Sequence, residues 1–161
     1  MPCLHADVGA RPTPEAAARG GQVAAAVVSA ARQRMTEPRR RVLELLLTSG
    51  RPEKAYDLIA AFHPDQRTAK PATVYRALEF LERIGLAHRL STSKSYVACS
   101  LGTVTHAAAF LICDCCGTCR EISTPEAASL TGAAAALGFS VDRVTLEAEG
   151  RCPACRVTTC E

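Results

Sequence analysis

Two Cys-x-x-Cys pairs in the last third of the chain constrain its fold more than any other feature of the sequence. The first pair is Cys113 and Cys116, and the second is Cys152 and Cys155. Each pair presents two sulfurs from a tight turn, and two such turns complete the tetrahedral four-cysteine site that zinc prefers. The pairs therefore predict a small domain closed around a structural zinc ion, whose binding contributes to folding.

The register of the first pair is ambiguous, because Cys116 and Cys119 have the same spacing. Gly117 directly follows Cys116, and a glycine there permits the turn behind the second ligand. We therefore expect Cys113 and Cys116 to bind the metal. The cysteines left without a role are Cys3, Cys115, Cys119 and Cys160. The simplest expectation for the last three is that they are exposed thiols, with exchange into the zinc site or a second metal left open.

The charges divide the chain into two halves. Residues 1–100 carry 15 Lys and Arg against 9 Asp and Glu, whereas residues 101–161 carry 4 against 7. A basic half joined to an acidic, cysteine-rich half indicates two roles, with nucleic acid as the candidate partner of the first half. No apolar run is long enough to span a bilayer, and the N-terminus lacks a signal-peptide pattern. We therefore expect a cytoplasmic protein whose cysteines bind metal rather than form disulfides.

Helical periodicity dominates the basic half. Helices are predicted over Gln22–Met35, from the N-cap Thr36 to the break at Ser49, over Glu53–Phe62 and over Lys70–Gly85. In the last helix one face is apolar at helical spacing and is expected to be core: Val74, Ala77, Leu78, Leu81 and Ile84. Two short strands, Leu86–Leu90 and Ser95–Cys99, follow around a polar turn.

Helices followed by a hairpin predict a winged helix-turn-helix, which places its last helix in the DNA major groove. Thr73, Tyr75 and Arg76 face outward near the start of that helix. Arg76 is the natural base reader, because a guanidinium can pair bidentately with guanine. A generic helical bundle with a solvated arginine is the alternative, and the hairpin and the charge division favour DNA.

The acidic half predicts a second, smaller domain of strands and one helix. Strands are expected over Ala107–Ile112, Arg120–Ser123 and Phe139–Ala148, with a helix from Pro125 to about Leu137. The predicted fold class is α+β, a winged helix-turn-helix DNA-binding domain joined to a small α/β dimerisation domain with a four-cysteine zinc site. The predicted divisions are a flexible arm at 1–20, the DNA-binding domain at 21–100, a hinge at 101–106 and the dimerisation and metal-binding domain at 107–161.

From about Gln22 to Cys155 the chain resembles the ferric uptake regulator family of bacterial metalloregulatory repressors. The resemblance rests on T-V-Y-R-A-L (Thr73–Leu78), I-G-L-A-H (Ile84–His88) and the paired cysteine turns. The zinc uptake regulator branch fits best, through A-K-P-A-T-V-Y-R-A-L-E-F-L, S-Y-V-A-C and T-H-x-x-A-x-x-I-C-x-x-C-G.

The resemblance implies a zinc-responsive repressor of zinc uptake genes that binds operator DNA as a homodimer. It places a regulatory zinc on His88, Cys99, His106 and Glu121, the structural zinc on the two Cys-x-x-Cys pairs, and base reading on Tyr75 and Arg76. About two Zn²⁺ per subunit are then expected. Cys99 favours zinc over manganese or ferrous iron, because its sulfur is a soft ligand.

Other function classes fit the sequence less well. A dithiol redox enzyme would place Cys152 and Cys155 at the start of a helix in a βαβ unit, and few residues follow this pair. A zinc deaminase needs an H-x-E motif, which the sequence lacks. A protein-binding zinc module and, more closely, a repressor of the same family that senses peroxide, thiol oxidation or another metal remain as rivals.

Overall fold

The computed structural model describes residues 35–62, 69–100 and 108–157. These residues form two compact units, one ending within the described residues at Ser100 and the other beginning at Ala108. The expected arm, the expected hinge and all of the helix expected before Met35 lie outside the described residues. The exact domain boundaries therefore stay predictions.

The first unit is a winged helix-turn-helix. Its elements are α1 (Glu37–Ser49), β1 (Glu53–Lys54), α2 (Ala55–Ala61), α3 (Pro71–Arg83), β2 (Ala87–Leu90) and β3 (Ser95–Ala98). The three strands form one antiparallel sheet in the order β1-β3-β2. The hairpin of β2 and β3 is the wing, and its two strands lie where the alternating sequence predicted them.

The ends of α1 follow the local sequence. Thr36 is extended at the N-cap and its carbonyl accepts a hydrogen bond of 3.0 Å from the Arg40 N–H. Gly50 has φ 62°, a left-handed conformation that glycine adopts at little cost, and its N–H donates to the Leu46 carbonyl at 3.1 Å. Both predicted ends of this helix are confirmed.

The prediction that Glu53 and Lys54 begin a helix is wrong. They form the short strand β1, in which Glu53 pairs with Tyr96 and Lys54 with Ser95. Pairing with β3 satisfies backbone groups at the sheet edge, and this tertiary contact outweighs the weak helical preference of two residues. The helix itself covers only Ala55–Ala61.

The core of the first unit is the apolar face of α3 packed against α1, α2 and the wing. All five α3 positions predicted from the helical spacing are buried. They meet an equally apolar face of α1, formed by Val42, Leu43 and Leu46. Because both faces are buried against each other, the position of α3 is set by packing rather than by its exposed residues.

Replacing Leu81 with alanine should lower the free energy of unfolding of this unit by about 2–5 kcal/mol, because its side chain is fully buried and leaves a cavity. All three tyrosines, Tyr56, Tyr75 and Tyr96, lie in this unit and tryptophan is absent, so tyrosine fluorescence in urea reports on it alone. The matched control is Glu79→Ala on the exposed face of the same helix, expected within about 0.5 kcal/mol of wild type. Equal effects of the two changes would contradict the packing described here.

The second unit is a three-stranded sheet with two helices. Its elements are β4 (Ala108–Cys113), β5 (Cys119–Ile122), α4 (Pro125–Ala136), β6 (Thr145–Gly150) and α5 (Pro153–Val157). The strand order is β5-β4-β6, with β5 antiparallel and β6 parallel to the central strand. The predicted hairpin across the first cysteine pair and the predicted helix ending before Gly138 are both confirmed.

Two parts of this unit differ from the sequence prediction. The closing strand begins at Thr145 rather than at Phe139. It pairs in parallel with β4, and this pairing starts with Ala108 and Thr145. The five-residue helix α5 was not predicted, since so short a segment carries no periodic signal.

The hydrophobic core of the second unit is small. Its buried hydrophobic residues, among those described, are Ala108, Ala109, Phe110, Cys113, Val144 and Cys155. Two of these six are cysteines of the predicted zinc site, so the metal site forms part of the core. A core of this size indicates that bound metal adds substantially to the stability of the unit.

Among the described residues, each helix is too short or too polar to traverse a lipid bilayer.

Candidate functional site

The parallel pairing of β4 and β6 brings the two cysteine pairs together. Cys113 is the last residue of β4 and pairs with Gly150, the last residue of β6, so the two strands end side by side. The Asp114 N–H donates a hydrogen bond of 2.9 Å to the Gly150 carbonyl, and this bond holds the ends of the two strands together. The sequence after β4 then turns through Cys116, and the sequence after β6 reaches Cys152.

The four sulfurs of Cys113, Cys116, Cys152 and Cys155 lie within 4.8 Å of one another. The Cys116 and Cys152 sulfurs are 3.8 Å apart. Four sulfurs bound tetrahedrally at about 2.3 Å from one zinc stand about 3.8 Å from each other. The residues therefore fit a zinc ion both in chemistry and in size.

The turn after β4 is built to present sulfurs. Gly117 has φ 72°, the left-handed conformation expected from its place behind Cys116, and its N–H donates to the Cys113 carbonyl at 2.9 Å. The Cys113 N–H donates in turn to the Thr118 carbonyl at 2.9 Å. The Cys116 thiol is 3.2 Å from the Thr118 hydroxyl.

The thiols of this cluster differ in how readily they ionise. Burial opposes ionisation of Cys113, but N–H groups of Cys116, Cys152 and Cys115 stabilise its thiolate and lower its pKa to about 6. The hydrogen bond with the Thr118 hydroxyl lowers the pKa of Cys116. Burial raises the pKa of Cys155 strongly. Cys113 and Cys116, in the turn after β4, are therefore the thiols of the cluster that most readily form the thiolates to which a metal ion binds.

His88 and Cys99 lie together in the wing of the first unit. His88 is in β2 opposite Val97, and Cys99 follows β3, where its N–H donates to the Leu86 carbonyl at 3.0 Å. Both side chains are buried, and their ligand atoms are within 4.8 Å of each other. An imidazole and a thiol at this separation can bind one metal ion.

The other two predicted regulatory ligands belong to other parts of the chain. Glu121 is in β5 of the second unit, opposite Phe110, with its side chain half-buried. His106 lies outside the described residues. The assignment of these four residues to one metal ion stays a prediction.

The predicted DNA-reading residues lie in the first two turns of α3. Pro71 starts the helix, and the Thr73 N–H donates to the Lys70 carbonyl at 2.8 Å. Tyr75 and Arg76 are exposed, and Thr73 is half-buried. The buried face of α3 holds this end of the helix in place, so Tyr75 and Arg76 project from a rigid element.

Residues 30–149 match the ferric uptake regulator family. The chain belongs to this family. It is 38% identical over 124 residues to the zinc uptake regulation protein of Escherichia coli (strain K12), covering 76% of this chain and 72% of that protein. The protein of the same name from Shigella flexneri matches to the same extent.

Two solved structures of zinc uptake regulators are similar over most of this chain. One, of a zinc uptake regulator complexed with zinc and DNA, has a TM-score of 0.76 and 34% identity, covering 86% of this chain and 95% of that one. A crystal structure of holo XcZur has a TM-score of 0.74 and 36% identity over 86% of this chain and 99% of that one. Family and fold class predicted from the sequence are both confirmed.

Cys115, expected to be an exposed thiol, is half-buried. Its position between Cys113 and Cys116 was the available signal, because the residues of so tight a turn lie close together.

Proposed function

We propose that the protein is a zinc-responsive transcriptional repressor that binds operator DNA as a homodimer when zinc is bound and controls zinc uptake genes. The observation that carries this proposal is the similarity, over most of both chains, to a zinc uptake regulator complexed with zinc and DNA. The four-cysteine cluster of the second unit and the buried pair of His88 and Cys99 in the first unit agree with it. Because its ligand is the DNA of the cell, we place the protein in the cytoplasm, and we assign it no catalytic activity.

Two zinc ions per subunit serve different roles in this proposal. Cys113, Cys116, Cys152 and Cys155 hold the structural ion, supported by their separations and by the small core around them. His88, Cys99, His106 and Glu121 hold the regulatory ion. The support for the second set is the buried pair of His88 and Cys99, whose nitrogen and sulfur suit zinc better than harder metals.

The start of α3 is the DNA-reading surface. Thr73, Tyr75 and Arg76 are on the helix that a winged helix-turn-helix places in the major groove. Arg76 reads a guanine edge through two hydrogen bonds, and Tyr75 contacts a base methyl or a phosphate. Lys70 just before the helix and Lys94 in the wing add positive charge to the same unit.

Replacing Arg76 with alanine should weaken operator binding by about 1–3 kcal/mol, or roughly 5- to 150-fold, because a bidentate base contact is lost. Arg76→Lys is the matched control, since it keeps the charge but not the planar pair of donors. Both variants should lose discrimination between operator and unrelated DNA, and only the alanine variant should show a smaller salt dependence. Fluorescence anisotropy at several salt concentrations measures both quantities, and unchanged discrimination in Arg76→Ala would contradict base reading.

Several exposed apolar side chains on the second unit support the homodimer. Leu130 in α4 is about half exposed, and Leu137 and Phe139 just after it are 77% and 70% exposed. Leu111 of the central strand and Ile122 at the end of β5 are exposed as well. Exposed aliphatic and aromatic side chains on one small unit are typical of an interface between subunits.

Regulation follows from linkage between the two ligands. If zinc raises the affinity for operator DNA, operator DNA must raise the affinity for zinc by the same factor. The wing pair His88 and Cys99 belongs to the DNA-binding unit, whereas Glu121 belongs to the unit that we assign to dimerisation. A zinc ion bound by this proposed ligand set restricts how the two recognition helices of a dimer are arranged. A two-fold symmetric operator accepts one such arrangement.

The direct test is selection of duplexes from a random DNA pool with zinc-loaded protein. The selected duplex should carry a two-fold symmetric sequence, and its binding should weaken at least 5-fold when a chelator removes the exchangeable zinc. No enrichment of any sequence would contradict the DNA-binding role. Enrichment with equal binding before and after chelation would contradict zinc control and favour the rival repressor that senses peroxide or another metal.

A further inference from the structure

Lys94, in the turn of the wing, has a backbone conformation that is unfavourable for lysine. It ends the polar turn Ser91–Lys94 between β2 and β3, and its φ of 52° is in the left-handed region. Every other residue with a positive φ in the described part of the chain is a glycine. Glycine adopts this conformation without the steric cost that a Cβ atom imposes. A lysine at this position therefore indicates that its side chain has a role that offsets the cost.

Sheet pairing places a second lysine beside this turn. Lys54, the last residue of β1, pairs with Ser95, which directly follows Lys94 and is the first residue of β3. The Cα atoms of paired residues in neighbouring antiparallel strands are about 5 Å apart. Ser95 is buried, whereas both lysines are exposed. Two long cationic side chains are therefore exposed to solvent at the same end of the sheet.

Among the described residues, neither lysine forms an ion pair with an acidic side chain. Glu53, which precedes Lys54, contacts Arg51 at 3.5 Å and accepts a hydrogen bond from the Ser49 hydroxyl. Two ammonium groups at one end of a sheet repel each other, and an anion placed near them stabilises both. We propose that Lys54 and Lys94 bind phosphate groups of the DNA backbone. This inference deepens the DNA-binding role proposed above and rests on it.

The position of Lys54 relates this pair to the helix-turn-helix. Lys54 directly precedes α2, the first helix of the motif. In a helix-turn-helix the first helix crosses the DNA backbone while the second, here α3, enters the major groove. Contacts to phosphates fix the register of a protein on the duplex but carry no sequence information. The lysine pair is therefore expected to contribute affinity for every duplex, in contrast to Arg76.

Lys94→Gly, made in the full zinc-loaded protein, removes the charge and relieves the backbone of the turn. Its urea midpoint, followed by tyrosine fluorescence, should equal or exceed that of wild type, because glycine suits the left-handed position. Binding to the selected duplex and to a duplex of shuffled sequence should weaken by the same factor. The slope of log affinity against log salt should become smaller by about one, the value for one lost phosphate contact. Lys54→Gln should lower the slope by a similar amount, and the double variant by about two.

Two matched variants separate a phosphate contact from a general effect of charge. Lys94→Arg keeps the positive charge at the turn and should keep the salt slope of wild type. Arg83→Gln removes one positive charge from an exposed residue in the last turn of α3, about 10 Å along the helix axis from Arg76. Its salt slope should change by less than half as much as that of Lys94→Gly.

The outcomes separate this inference from the function on which it rests. An unchanged salt slope in Lys94→Gly and Lys54→Gln, with binding by wild type intact, would overturn the phosphate site alone. A smaller slope in only one of these variants would overturn the pairing of the two lysines. A lower urea midpoint in Lys94→Gly would overturn the argument from the backbone of the turn. Wild-type protein that binds neither duplex would instead overturn the proposed DNA-binding function itself.

Discussion

Cys113→Ser is expected to unfold the second unit while leaving the first unit folded. Structural zinc in small domains contributes about 10–16 kcal/mol, whereas a whole domain is stable by only about 5–15 kcal/mol. Loss of a ligand that abolishes zinc binding therefore removes a free energy comparable to the whole stability of the unit. The effect is amplified because Cys113 is itself one of the buried residues of the small core.

Hydrogen exchange and zinc analysis together measure this result. Amides of β4 and β6 should lose protection, and the zinc content should fall to one ion per subunit or less. Tyrosine fluorescence, which reports only on the first unit, should still show a cooperative urea transition. Cys119→Ser is the matched control, since it alters a half-buried cysteine of the same sheet that lies outside the cluster. Retained zinc and retained protection in Cys113→Ser would contradict a structural metal site.

Cys99→Ser is expected to abolish zinc control of DNA binding without unfolding either unit. The serine is nearly the same size as cysteine but is a poor zinc ligand, so the regulatory ion is lost while the wing keeps its packing. The coupling free energy between two ligands is typically about 1–3 kcal/mol. Zinc should therefore raise the DNA affinity of wild type by about 5- to 150-fold, and Cys99→Ser should lose this gain. Anisotropy titrations with and without added zinc measure it.

Val97→Ala separates the loss of a ligand from the loss of packing. Val97 is buried on the same wing and pairs with His88, but it cannot bind metal. This variant should be modestly less stable and should still respond to zinc. The regulatory role of Cys99 would be contradicted if Cys99→Ser bound operator DNA with the zinc dependence of wild type.

The recognition helix and the four-cysteine site were predictable from the sequence, for different reasons. Apolar residues of α3 recur at helical spacing over three turns, and a segment with this pattern is stable as a helix whose apolar face packs against a core. The cysteine pairs carry their own geometry, because a Cys-x-x-Cys turn brings two sulfurs to one metal. In both cases the pattern that permits the prediction lies within a short segment of the sequence, which is the helix itself or a single Cys-x-x-Cys turn.

The features that escaped prediction depend on partners distant in sequence. Strand β1 exists because Glu53 and Lys54 pair with β3, some forty residues later. The register of β6 is set by its parallel pairing with β4. The proposed regulatory set could be assembled only through family resemblance, because no short spacing in the sequence relates its four residues.

Titration of zinc into protein whose structural site is already filled shows whether a second zinc ion switches DNA binding. Zinc content and the anisotropy of a labelled duplex from the selected pool are followed in the same samples at buffered free zinc. Tight binding should develop as the content rises from one to two ions per subunit, and the two curves should share a midpoint. DNA affinity that is the same at one and at two ions per subunit would show that the second ion does not control DNA binding.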